Sequence, residues 1–125
     1  MRIFDAHCDT VYEILNQDLN LNKNKLHLDK ARMSKYDLYI QVFAAFVDKY
    51  ELSESPLQRC IGLIDRYKSE IGKCGISEIL TKDDLISAYD GVHSILSIEG
   101  GEVLQGSLAA LRMFHSLGVR LITLT

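Results

Sequence analysis

The segment from Tyr39 to Val47 is the strongest constraint on how this chain can fold. It is almost continuously apolar, whereas a strand with one face in water would alternate apolar and polar residues. The segment therefore predicts a parallel strand that is buried on both faces. Gln41 is its one polar residue, and we expect a hydrogen-bonded core amide there, with a role at a binding site as the less favoured alternative.

Strand-like and helix-like segments alternate along the rest of the chain. Further strands are predicted at residues 2–9, 92–98 and 119–125. The clearest helix begins at Ser55, has proline at its first position and ends at Gly75, with apolar residues at steps of three and four. Shorter helices are predicted at four further places. One follows Thr10, which is its predicted N-cap, and one covers 30–34. The others run from Thr81, with Asp84 closing a capping box, to near Gly91, and from Ser107 to Gly118. This order predicts an α/β protein with a parallel sheet.

The composition excludes several classes of protein. At 125 residues the chain holds one domain at most, and its 47% hydrophobic content is typical of a globular chain. The net charge is -3 and lysine and arginine form no cluster, so we expect neither a nucleic-acid nor a membrane partner. The longest apolar run, Val42 to Val47, is far too short to span a bilayer.

The cysteines and the N-terminus bear on the cellular compartment. The chain enters a predicted strand almost at once, which leaves no room for a signal peptide. Cys8, Cys60 and Cys74 are odd in number and lack the spacing of a zinc finger, which favours reduced thiols. We therefore expect a cytoplasmic protein.

A candidate metal site lies at the end of the first predicted strand. Side chains alternate between the two faces of a strand, so Asp5, His7 and Asp9 are predicted on one face and Ala6 and Cys8 on the other. An imidazole and a carboxylate two residues apart can bind one metal ion, although a solvated strand end is about equally favoured by this motif alone. A second acidic residue, Glu99, ends the strand at 92–98, and two glycines follow it. His27 and His115 have no partner at a metal-binding spacing and are expected at the surface.

Acidic and imidazole groups at strand ends are typical of one architecture. In a (β/α)8 barrel the active site is built from the C-terminal ends of the strands, and such barrels take roughly 250 residues. This chain has about half of the strands required. No Gly-x-Gly-x-x-Gly follows the first strand, so a dinucleotide-binding fold has no positive support.

Several segments resemble one family of enzymes. The motif Ile3-Phe4-Asp5-Ala6-His7-Cys8-Asp9 is similar to the opening of the membrane (renal-type) dipeptidase family, peptidase family M19. Residues 41–43, 97–101 and 111–125 resemble the family's later segments in the same order. The resemblance implies that residues 1–125 are the N-terminal half, about four β/α units, of a metal-dependent (β/α)8 barrel whose C-terminal half is absent.

The resemblance also implies a zinc site. His7 and Asp9 would hold the first zinc ion, Glu99 would bridge it to a second, and Asp5 could orient the His7 ring by a hydrogen bond; a purely structural role for Asp5 is equally open. The family's two histidines for the second zinc, its acidic proton-transfer residue and its carboxylate-binding arginine lie in the later half of the barrel. Thr10 and the segment 35–37 depart from the family pattern.

The expected function is therefore that of a zinc-dependent dipeptidase, represented by its N-terminal part. Two alternatives remain: a related amidohydrolase-type barrel acting on another amide or ester, and a non-catalytic assembly protein. Four strands cannot close a barrel, so we expect pairing into a homo-oligomer or with a missing C-terminal half. Five apolar residues could line either the barrel interior or the helix-facing side of the sheet, and alternation alone does not decide between the two. They are Tyr39, Val42, Phe43, Ile95 and Leu121.

Overall fold

The computed structural model of the chain describes residues 1–48 and 54–124. Its strands are β1 (Arg2–Cys8), β2 (Leu38–Phe46), β3 (Ser77–Glu78), β4 (Gly91–Glu99) and β5 (Val119–Thr123). Its helices are α1 (Thr10–Gln17), α2 (Lys30–Met33), α3 (Pro56–Cys74), α4 (Lys82–Ser87) and α5 (Leu108–Ser116), and a 3-10 helix covers Gly101–Leu104. Within the two described ranges, every helix is too short or too polar to cross a bilayer.

The strands form one parallel sheet, which confirms the predicted α/β architecture. β2 lies between β1 and β4, and the outer side of β4 pairs with β3 near its start and with β5 near its end. β3 was not predicted, because a strand of two residues carries no readable pattern. The C-terminal ends of β1, β2 and β4 therefore meet at one edge of the sheet.

One face of the sheet is covered by α1 and α3. Tyr39 and Phe43 of β2 lie on this side and join the main apolar core together with Leu63 and Tyr67 of α3. Phe43 is completely buried, and its ring centroid lies 5.7 Å from that of Tyr67. Eight of the nine residues of β2 are buried, so the prediction of a strand buried on both faces is confirmed.

The opposite face of the sheet carries Val42, Ile95 and Leu121, which settles the alternation that the sequence left open. Val42 is only 1% exposed, whereas Leu121 on the edge strand β5 is 48% exposed. A second, smaller cluster of buried residues lies on this face, formed by Leu38, Ile40, Ile79 and Ala88. On the face expected to line the barrel, side chains near β2 are thus buried and those toward the edge strands are exposed to solvent.

Gln41 is fully buried within β2. Its amide nitrogen donates to the carbonyl oxygen of Val42 at 3.0 Å and to that of Asp5 at 3.4 Å. Its Oε1 has no hydrogen-bond partner in the part of the chain that the structure describes. The prediction of a hydrogen-bonded core amide is therefore confirmed for the donor side of this group only.

Local capping signals predicted both ends of α3 and the start of α4. The side chain of Ser55 accepts the N–H of Gln58 at the start of α3, and Gly75 ends that helix with a φ of 64°. Thr81 and Asp84 form the expected capping box at the start of α4. This helix ends at Ser87 rather than near Gly91, because Gly91 already begins β4 and its N–H bonds to the carbonyl of Asp37.

The connection between α1 and β2 is more closely packed than its composition indicates. Residues 16–24 are rich in Asn and Lys, a composition that predicts a surface loop, but Leu21 is almost completely buried in the main core. The buried carboxylate of Glu70 on α3 accepts the N–H of Leu21 at 2.8 Å. Asp29 caps α2 through a bond from the N–H of Arg32 at 2.8 Å. These contacts hold the connection against the body of the protein.

Candidate metal centre

β1 contains a bulge next to the candidate ligands. Asp5 and Cys8 pair with residues of β2 that are only two positions apart, so one residue of β1 is extra. Consequently Ala6 and His7 are both exposed, whereas Asp5 and Cys8 are both partly buried. The regular alternation predicted from the sequence is wrong at this point. Asp5 and His7 lie on opposite faces of the sheet rather than on the same face.

The imidazole of His7 meets two carboxylates at the C-terminal edge of the sheet. Its Nε2 lies 3.2 Å from Oδ1 of Asp9 and 3.1 Å from Oε2 of Glu99. One donor atom from each of the three side chains lies within 4.8 Å of the other two. The parallel order of β1, β2 and β4 brings Glu99 to the same edge as His7. The structure thus places the three predicted ligands together, while their role as ligands stays a prediction.

The donor set suits a metal ion such as zinc in its chemistry and in the two spacings that involve His7. Zinc is bound by imidazole nitrogen and carboxylate oxygen at about 2.0–2.2 Å, which places tetrahedral ligand atoms about 3.3–3.6 Å apart. The distances of 3.1 and 3.2 Å at His7 Nε2 are close to this spacing. A ring nitrogen carries at most one proton, so it cannot donate to both carboxylates at once. A cation between the three groups would satisfy all of them.

Asp9 lies at the junction between β1 and α1. It occupies the N-cap position of α1, but its side chain makes no capping hydrogen bond and instead contacts His7. Thr10 is the first residue of the helix and is buried, so the prediction of Thr10 as the cap is wrong. The carboxylate that would ordinarily cap the helix is directed to the candidate metal centre.

Asp5 contacts the backbone of His7 rather than its ring. Its Oδ1 accepts the N–H of His7 at 3.2 Å, and its Oδ2 accepts the hydroxyl of Tyr39 at 3.3 Å. Burial and the nearby Asp5 carboxylate raise the pKa of Tyr39 to about 12, so this hydroxyl remains a proton donor at neutral pH. The predicted link between Asp5 and His7 therefore exists, but it runs through the main chain.

The turn after Glu99 has the features expected of its glycines. Gly100 has a φ of 104°, and a Cβ at this position would lie 2.7 Å from Oε2 of Glu102. Its N–H donates to the carbonyl of Thr123 at 2.9 Å, which ties the end of β4 to β5. A side chain at Gly100 would be strained by this φ, and the flexible carboxylate of Glu102 would have to move aside. The turn therefore fixes the position from which Glu99 reaches His7.

A cavity of about 660 Å³ adjoins His7 and Asp9. Glu13 of α1 lines it, as do Lys25 and His27 of the connection before α2. His27 is not part of the three-residue donor cluster, in agreement with the sequence analysis. No local motif predicted this cavity wall, because its position depends on the packing of the whole connection.

Two other residues considered in the sequence lie away from the donor cluster. Cys8 packs against the main core on the face opposite to His7, and burial raises the pKa of its thiol to about 11. His115 is exposed on α5. Both placements agree with the expectation that neither side chain contributes to the metal centre.

Comparisons with known proteins identify relatives of the chain. Dipeptidase 3 of Rattus norvegicus is 28% identical over 112 residues, which are 87% of this chain and 22% of that protein. Dipeptidase 3 of Homo sapiens is 26% identical over 117 residues, or 91% of this chain and 24% of that protein. The chain thus spans about a quarter of the length of these curated relatives.

A solved structure supports the fold. A metallo peptidase from Rhodobacter sphaeroides, liganded with a phosphinate mimic of the dipeptide L-Ala-D-Ala, superposes with a TM-score of 0.79 at 18% identity. The match covers 98% of this chain and 44% of that one, which confirms the prediction of a partial (β/α)8 barrel. The model of the membrane dipeptidase family matches residues 1–125 throughout. The chain therefore belongs to the membrane dipeptidase family, peptidase family M19.

Proposed function

We propose that this chain supplies the first part of the metal centre of a zinc-dependent dipeptidase. The observation that carries the proposal is the convergence of His7, Asp9 and Glu99 at the C-terminal edge of a parallel sheet. His7 and Asp9 would hold one zinc ion, and the two oxygens of Glu99 would allow it to bridge to a second. Zinc bound in such a centre supplies an activated water and polarises a carbonyl group.

A dipeptide is the proposed substrate. The family and the dipeptide mimic bound to the Rhodobacter sphaeroides protein support this choice. The cavity of about 660 Å³ beside His7 and Asp9 offers space next to the donor cluster. Lys25 on its wall is cationic and His27 offers ring N–H groups, which suits the carboxylate end of a peptide.

The chain is proposed to need further residues for turnover. Peptide hydrolysis requires a proton donor to the leaving amine and a group that binds the substrate carboxylate, besides an activated water. Within the described ranges the donor cluster of His7, Asp9 and Glu99 is the only group of its kind. We therefore expect residues 1–125 alone to be inactive and the complete barrel to be active.

The edges of the sheet support a partner for this part of the barrel. Phe4 on β1 and Leu121 on β5 are 59% and 48% exposed, and both strands carry backbone groups that a further strand could pair. We propose that the remaining strands come from a C-terminal half of the barrel or from a second copy of the chain. Light scattering at micromolar concentration tests this proposal: an oligomer or poor solubility is expected, and a stable, cooperatively folding monomer of residues 1–125 would contradict it.

A reducing compartment, in line with the cytoplasmic expectation, is the proposed location. All three cysteines are free, and Cys60 is completely buried in the main core. Fractionation of cells that express the protein would test this proposal, and recovery of the protein outside the reducing compartments would contradict it.

Hydrolysis of dipeptides by the complete protein is the decisive experiment for the function. The complete protein should release free amino acids from dipeptides such as L-Ala-D-Ala, and a chelator should stop the reaction. His7→Ala should abolish turnover, whereas His115→Ala on the exposed surface of α5 should leave it unchanged. Chelator-sensitive hydrolysis of another amide or ester, with none of dipeptides, would favour a different amidohydrolase; robust turnover by residues 1–125 alone would contradict the need for further residues.

A further inference from the structure

The direction of the His7 side chain depends on the bulge in β1. Regular alternation from Asp5 would turn His7 toward the face that α1 and α3 cover, and Cys8 toward the open face. The extra residue reverses both, so that Cys8 packs against the core and His7 reaches Glu99. A bulge leaves a backbone group outside the ladder of hydrogen bonds. Ala6 and His7 lie in this gap between the two paired positions.

Asp5 supplies the hydrogen bond that the gap requires. Its Oδ1 accepts the N–H of His7 at 3.2 Å across the bulge. Its Oδ2 accepts the hydroxyl of Tyr39, a residue of β2 that is only 8% exposed and is therefore fixed in place. The carbonyl of Asp5 also lies 3.4 Å from the amide nitrogen of Gln41. Asp5 is thus fixed from the neighbouring strand at both its side chain and its main chain.

We propose that Asp5, braced by Tyr39, is a positioning residue that holds the bulge and thereby sets the direction in which His7 presents its imidazole. Asp5 acts through the main chain of His7 and does not itself touch the ion. This inference rests on the proposed function, because the position of His7 matters for catalysis only if His7 is a metal ligand. It differs from the expected contact between Asp5 and the ring of His7.

The first readout needs no metal. Hydrogen exchange of the His7 amide should be slow in the metal-free protein and at least about tenfold faster in Asp5→Ala. Asp5→Asn keeps an oxygen at the same position and should preserve the slow exchange. Asp65→Ala, on an exposed position of α3, is the control. Unchanged exchange at His7 in Asp5→Ala would overturn the inference.

The second readout is the binding of cobalt(II), whose visible spectrum reports ligand geometry. Asp5→Ala should bind cobalt about tenfold more weakly and with an altered spectrum. Asp5→Asn should stay within about threefold of the original protein, since both hydrogen bonds can re-form. Equal weakening in both variants would show that the charge of Asp5 matters and not its hydrogen bonds, which would overturn the inference.

Tyr39→Phe tests the hydrogen bond between the Tyr39 hydroxyl and Asp5 separately. It also provides a test if Asp5→Ala does not fold. It should weaken cobalt binding about 2- to 10-fold. Combined with Asp5→Ala it should add no further loss, because the hydroxyl acts through Asp5. Additive losses of cobalt affinity in the double variant would contradict the proposal that Tyr39 acts through Asp5.

The experiments separate this inference from the proposed function. If the original protein binds no cobalt, the proposed function fails, while exchange at His7 still decides whether Asp5 holds the bulge. If His7→Ala abolishes binding but Asp5→Ala leaves affinity and spectrum unchanged, the inference fails and the proposed function stands.

Discussion

β1 and β2 are neighbours in one sheet, yet they differ in burial and in the regularity of their pairing. β2 is buried along almost its whole length, and its pairing with β4 runs in unbroken register from Leu38 to Phe46. β1 has one strand neighbour in the described part of the chain, is half exposed and is interrupted by a bulge. The regular strand contributes the core, and the irregular strand presents His7. β2 therefore contributes mainly to stability, and the adjacent β1 carries His7 of the candidate metal centre.

The largest expected effect on stability comes from comparing one phenylalanine substitution in β2 with one in β1. Phe43→Ala removes a completely buried ring from β2 and should lower the free energy of unfolding by about 3–5 kcal/mol. Phe4→Ala removes a ring from β1 that is 59% exposed and should cost about 1 kcal/mol or less. Urea unfolding of both variants checks this prediction. Equal losses would contradict the division between the strands.

A smaller effect distinguishes two tyrosine hydroxyls on the helix-covered face of the sheet. The hydroxyl of Tyr67 bonds to Oγ of Ser94 at 2.8 Å beneath α3, and both residues are buried. Tyr67→Phe should lower the free energy of unfolding by about 1–3 kcal/mol, because the Ser94 hydroxyl loses its buried partner. Tyr39→Phe removes the hydroxyl that bonds to the partly buried Asp5 of β1. It should cost less in stability than Tyr67→Phe while it weakens metal binding. Thermal unfolding gives the comparison, and the reverse order would contradict it.

The smallest expected effect concerns the connection that leads into β2. Burial alone would raise the pKa of Asp29, but hydrogen bonds from Arg32 and Asn24 and the charge of Arg32 hold it below its ordinary value of 3.8. A lowered pKa contributes stability above pH 3.8, and this contribution is lost as the pH falls through the lower, folded-state value.

Asp29→Asn should therefore be less stable than the original protein by about 1 kcal/mol or less above pH 4, since asparagine still caps α2. The difference should shrink toward zero at lower pH. Unfolding curves measured from pH 2.5 to 7 test this, with Asp65→Asn on the exposed face of α3 as the control. A difference that grows on acidification would have the wrong sign.

The sequence predicted features that depend on local chemistry. The apolar segment from Tyr39 to Val47 identified β2, and Ser55 with Gly75 bounded α3, because burial and capping are readable from a few adjacent residues. The meeting of His7 with Glu99 also followed from sequence, since parallel strands end at one edge of a sheet.

The bulge was missed because it arises from pairing between strands. Nothing in the residues 5–8 distinguishes a regular strand from one with an extra residue; the register against β2 decides it. The same holds for Leu21, whose burial depends on contacts with α3, and for the cavity wall at Lys25 and His27. The sequence thus indicated which side chains meet at the candidate site, but not the face on which Asp5 lies.

Titration of zinc into residues 1–125, followed by calorimetry, tests the central claim most directly. We expect at most one ion per chain, weakly bound. His7→Ala and Glu99→Ala should each remove most of the binding, and His115→Ala should remove none. Tight binding of two zinc ions per chain, or binding that survives both the His7 and the Glu99 substitutions, would contradict the assignment of the metal centre.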